Sequence, residues 1–130
     1  MSEHKNVLVV DDDIDLLEQV AFVLAAEGYH VIKAQGQKEG EEALLATIPD
    51  LAVLDLMMEN MDSGFVLCHH VKRLFPETPV ILLTAVKANT GLDFNPGSDE
   101  AASWVKADLV MDKPVRPEQL KREVKRLLNV

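Results

Sequence analysis

The chain has 130 residues, 48% of them apolar, with 22 acidic and 13 basic side chains giving a formal net charge of −9. That length suits one core, so a single domain over 1–130 is expected, and the composition excludes disordered and fibrous classes. The charge argues against a general nucleic-acid surface; VILLTAV is too short to span a bilayer, MSEHKN is too polar for a secretory signal, and lone Cys68 leaves no internal disulfide, so a cytoplasmic protein is expected.

The first apolar run, 7–10, reads as a strand covered on both faces, and it leads directly into Asp11, Asp12 and Asp13. Adjacent carboxylates repel, so three of them at a strand end call for a compensating cation. Asp13 is placed to cap a helix that buries Leu17, Val20, Ala21 and Leu24 and stops before Gly28; Asp15 suits its first turn. A second strand follows at 31–34, then a helix over about 38–47 stopped by Pro49. Strand 51–54 leads to Asp55, helix 64–75 ends before PETP, and strand 80–83 leads to Thr84. The rhythm then breaks: 87–108 contains Gly91, Pro96 and Gly97, and only a short helix from about Ser98 or Asp99 is expected there. Strand 109–111 leads to Lys113, and a last helix starts with Pro117 at its first position and runs to about 128. The basic run KREVKR reads as its solvated face.

This alternation predicts a doubly wound parallel α/β sheet, whose ligand site lies outside the carboxyl ends of the strands. Four of the five strands end at that edge in Asp11 and Asp12, Asp55, Thr84 and Lys113. Carboxylates gathered there make an oxygen-rich cradle for a hard dication such as Mg²⁺. Asp55 would be a rigidly held oxygen nucleophile, Thr84 a hydrogen-bond donor to a phosphoryl oxygen, and Lys113 a neutralising cation: the parts of a phosphoryl-transfer site.

The set VLVVDDD, LAVLDLMMENMDSG, LLTA and MDKP resembles the receiver domain of bacterial response regulators over essentially the whole chain. The resemblance implies a five-stranded flavodoxin-like sheet of order 2-1-3-4-5 and a Mg²⁺-dependent (or Mn²⁺-dependent) phosphorylation of Asp55 by a sensor histidine kinase or a histidine phosphotransfer protein. By position, Asp12 would ligate the metal directly and Asp11 largely through water, with Asp55 and the Met57 carbonyl as further ligands. Thr84, Ala85 and Lys113 would contact the phosphoryl group and switch, the Lys113–Pro114 bond would be cis, and the face of the fourth helix, fifth strand and fifth helix would bind a downstream protein, with homodimerisation on phosphorylation left open. The domain would catalyse only its own phosphorylation and slow self-dephosphorylation. It would bind neither nucleic acid nor membrane.

The sequence departs from the family pattern in places. Glu59 stands where proline is usual and Ser63 where glycine is usual, with Gly64 displaced by one. Val110 occupies the position of the switch aromatic, and the stretch between Thr84 and Lys113 is longer than usual. Met57 and Val86, at the two positions whose side chains modulate attack by water on the aspartyl phosphate, are both apolar, which predicts a long-lived phosphoryl group.

Rival readings are weaker. The D-x-D-x-D of Asp11, Asp13 and Asp15 is followed by Leu16 and Phe22 where an EF-hand needs glycine and glutamate. A haloacid-dehalogenase-type phosphatase would use Asp11 as nucleophile and Asp13 as general acid, but the chain leaves little room for its cap and later acidic motif. An unphosphorylated interaction module is a third reading. No P-loop or G-x-G-x-x-G occurs. His69 and His70, adjacent on a helix, do not face one another as metal ligands would, and Trp104 reads as a packing anchor.

Overall fold

A computed structural model describes residues 5–56, 58, 63–84, 107–113 and 115–129. Five parallel strands, β1 (Asn6–Val10), β2 (His30–Ala34), β3 (Leu51–Asp55), β4 (Val80–Thr84) and β5 (Leu109–Asp112), form one sheet in the order β2-β1-β3-β4-β5. The helices are α1 (Ile14–Ala26), α2 (Gln37–Ala46), α3 (Ser63–Leu74) and a C-terminal helix (Pro117–Leu128). This is the flavodoxin-like architecture expected from the sequence. The expected short helix near Ser98 lies outside the described residues, as do Met57, Glu59, Ala85, Val86, Trp104 and Pro114.

Strand side chains alternate between faces. Val7, Val9, Val53, Ile81, Leu83 and Met111 pack on one side with Leu17 and Leu24 of α1 and with Leu120 and Val124 of the C-terminal helix. Leu8, Val10, Ala52, Leu54 and Leu82 pack on the other with Leu44 of α2 and with Leu67 and Val71 of α3. Both faces are covered, which is why these strands read as unbroken apolar runs.

Element ends follow local chemistry. Asp13 is the N-cap of α1, its carboxylate accepting from the Asp15 and Leu16 N–H groups at 3.1 and 3.3 Å, and Gly28 with φ of +96° ends that turn. Strands β3, β4 and β5 each run one residue past their predicted ends, so Asp55, Thr84 and Asp112 still belong to the ladder. At the opposite, amino-terminal rim two aspartates clip neighbouring strands together. Asp50 gives its N–H to Asn6 O and takes the Asn6 N–H on its carboxylate, both at 2.7 Å. Asp108 does the same with Val80, both bonds at 2.8 Å.

Candidate phosphoryl-transfer site

The carboxyl ends of β1 and β3, adjacent in the sheet, bring Asp11, Asp12 and Asp55 together across more than forty residues of sequence. One carboxylate oxygen from each lies within 4.8 Å of the others, and they form the one such cluster of potential metal ligands among the described residues. Asp11 and Asp55 are buried, at 2% and 4% exposure, while Asp12 faces solvent. Asp11 Oδ1 accepts from the Asp13 N–H at 2.9 Å, an Asx-type turn that fixes the carboxylate. Its buried Oδ2 has no hydrogen bond, although the Lys113 ammonium stands 3.3 Å away.

Lys113 reaches the cluster from the end of β5, its Nζ 2.8 Å from Asp55 Oδ1. The strand end is held by the Lys113 N–H donating to Thr84 O at 2.8 Å. Thr84, also buried, ends the strand beside that of Asp55, since Asp55 pairs with Leu83. Burial pushes the Asp55 carboxyl up from 3.8 to about 6, and the neighbouring Asp11 and Asp12 charges add to this against the opposing pull of Lys113. Burial alone would lower the Lys113 ammonium, but the hydrogen bond and charge of Asp55, with Asp11, outweigh it and raise the group.

Gly64 explains how α3 can start so close to Asp55. A Cβ there would stand 2.5 Å from the Asp55 carbonyl oxygen and from Leu56 Cα, and the Gly64 N–H donates to Leu56 O at 2.7 Å. The displaced glycine therefore has the close backbone approach, and Ser63, fully buried, opens the helix in front of it. Val110 is half-buried against the core on the α2 and α3 side. Asp13 is the N-cap of α1, the helix-start role expected for it. His70 lies 3.5 Å from Glu41 of α2. The Asp50 and Asp108 clips are not among the sequence-based expectations; each is a lone aspartate immediately before a strand, which by itself does not tell a clip from an ordinary turn residue.

The sequence profile of the response regulator receiver domain matches residues 7–125. The phosphate regulon transcriptional regulatory protein PhoB of Pseudomonas aeruginosa is 30% identical over 130 residues, covering 95% of this chain and 52% of its own length. The transcriptional regulatory protein GlrR of Escherichia coli is 40% identical over 80 residues, 62% of this chain and 18% of GlrR. The chain thus spans from about a fifth to about half of these relatives. Among solved structures, a CheY-like receiver domain protein from Methanospirillum hungatei superposes with a TM-score of 0.82 at 28% identity, covering 98% of this chain and 95% of that one. The response regulator TrrA of Thermotoga maritima, in complex with Mg²⁺ and BeF, gives 0.76 at 28% identity, covering 95% and 98%.

Proposed function

The chain belongs to the response regulator receiver domain family of two-component systems, and from that premise we propose that Asp55 accepts a phosphoryl group from a phosphohistidine of a sensor kinase or phosphotransfer protein. The observation that carries this is the Asp55 carboxylate, buried at a strand end, within 4.8 Å of two further carboxylates and 2.8 Å from Lys113. An Asp55 oxygen attacks phosphorus, a new P–O bond forms, and the P–N bond to the donor imidazole breaks with the electron pair leaving on nitrogen. Lys113, paired with Asp55, would neutralise charge on the transferring group, and Thr84, at the end of the neighbouring strand, would donate to one of its oxygens.

The residues suit a Mg²⁺ ion: the donor set is all oxygen, three carboxylates within 4.8 Å of one another with a single ammonium among the described residues, Lys113, paired to two of them. Asp11, Asp12 and Asp55 would hold it, with the Met57 carbonyl as the further ligand implied by the family. Such an ion supplies charge neutralisation for a phosphoryl group arriving among three carboxylates. The rigid strand ends keep Asp55 aligned, and Asp11 is fixed by the turn to Asp13.

The proposed partner is the phosphodonor protein. An apolar groove of about 360 Å³ between α1 and the C-terminal helix, lined by Leu16, Val20, Phe22, Val23 and Val115, suits it as a docking place, and Phe22 is 76% exposed there. No helix among the described residues is long and apolar enough to cross a membrane, and a cytoplasmic location is proposed with the kinase partner. A ¹⁹F NMR titration with beryllofluoride tests the site. A bound signal that needs Mg²⁺ and disappears in Asp55→Asn is expected; a bound signal that survives in Asp55→Asn overturns the assignment.

A further inference from the structure

Strand β5 carries Lys113 and is one of the two edge strands of the sheet. It is the shortest, lies at an edge, and buries only Met111 fully, whereas all five residues of β3 and all five of β4 are buried. Side-chain packing therefore does less to fix its placement, and its ends must do more. At the site end, the Lys113 N–H bonds Thr84 O. At the far end, Asp108 exchanges two 2.8 Å hydrogen bonds with Val80, and the same Oδ2 accepts from Lys72 Nζ at 2.8 Å. Lys72, whose side chain is 15% exposed, also donates to Thr78 O at 2.8 Å, so it joins the last turn of α3, the start of β4 and the start of β5. The matching clip at Asp50 joins two inner strands that are packed on both faces.

We propose that Asp108, backed by Lys72, is a positioning residue for Lys113, fixing β5 against β4 from the opposite rim so that the ammonium meets Asp55. A one-residue slip in a strand turns every side chain to the other face, and a far smaller shift opens a 2.8 Å ion pair. The carboxylate of Asp108 suits this role because one of its oxygens takes a backbone N–H and a half-buried ammonium together, both charge-assisted bonds. The inference rests on the reading that Lys113 assists phosphoryl transfer to Asp55.

The test combines two readouts on the full chain. The ¹H–¹⁵N signal of the Lys113 ammonium, visible when the group is held in an ion pair, is recorded for wild type, Asp108→Ala and Asp108→Asn. Labelling by acetyl phosphate with Mg²⁺ is then measured for Asp108→Ala alone, Lys113→Gln alone and the double variant. Asp108→Ala is expected to broaden or abolish the ammonium signal and to slow labelling about tenfold, as a small misplacement of a catalytic group does. Asp108→Asn, which keeps an acceptor for the Val80 N–H, is expected to recover most of both. With Lys113→Gln already in place, Asp108→Ala should cost nothing further. An unchanged ammonium signal in folded Asp108→Ala, or the same loss of labelling with and without Lys113, overturns the inference. Wild-type protein labelled elsewhere than Asp55 defeats the functional reading instead, and the ammonium signal still decides the placement of Lys113.

Discussion

Replacing Asp55 by asparagine should stabilise the metal-free protein, by an amount that grows with pH. The carboxyl goes from 3.8 in the unfolded chain to about 6 in the fold, chiefly through burial. The folded state therefore binds this proton more tightly, and stability falls as pH rises through that window. Moving the carboxyl from 3.8 to about 6, at about 1.4 kcal/mol per pH unit, sets an upper figure of about 3 kcal/mol, absent below pH 4 and fully present well above pH 6. Asparagine keeps the shape without the charge, so its stability relative to wild type should rise by up to that amount between pH 4 and pH 7. For a domain of this size that corresponds to a differential shift in Tm of roughly 10 °C. Thermal unfolding of both proteins in EDTA, followed by circular dichroism at half-unit pH steps, measures it. Mg²⁺ should then stabilise wild type more at pH 7.5 than at pH 5. Parallel stability curves for the two proteins would refute the reasoning, because the penalty on a buried, crowded carboxylate would not exist.

Three further outcomes follow from the geometry. Gly64→Ala should cost about 2 kcal/mol or more and slow labelling, because its Cβ meets two backbone positions at 2.5 Å; urea unfolding and acetyl phosphate labelling check both. Phe22→Ser should slow phosphotransfer from a protein donor several-fold while leaving labelling by acetyl phosphate unchanged, since the exposed ring borders the groove and not the carboxylates. Met57→Asn should shorten the lifetime of the phosphoryl group, because an amide can orient the attacking water that a thioether cannot; decay of ³²P label at neutral pH measures it.

Much of the fold was legible because two physical signals agreed. Strands buried on both faces must be apolar throughout, and helices covering them must be apolar on one stripe, so β1, β4 and α1 stand out. The site was legible for a related reason: the parallel topology puts every strand's carboxyl end at one edge, so Asp11, Asp55 and Lys113 could be grouped from their register alone. Their distances and the double contact of Lys113 could not, since these depend on side-chain reach across strands. Two helices start one residue before their expected positions: at Gln37, where no side-chain cap announces the start, and at Ser63. The clips at Asp50 and Asp108 are hidden in the sequence because a single aspartate before a strand looks like ordinary turn chemistry; only the pairing of β1 with β3 and of β4 with β5 gives it a partner. Gly64 likewise has meaning only once α3 is seen against the Asp55 carbonyl.

The central claim, that Asp55 is the phosphoacceptor of a Mg²⁺-dependent receiver domain, is tested most directly by incubation with acetyl phosphate and Mg²⁺ followed by mass spectrometry of the intact chain. A single phosphoryl adduct in wild type, mapped to Asp55, lost with EDTA and missing in Asp55→Asn, is the expected result. An adduct that persists in Asp55→Asn and vanishes in Asp11→Asn would contradict the account.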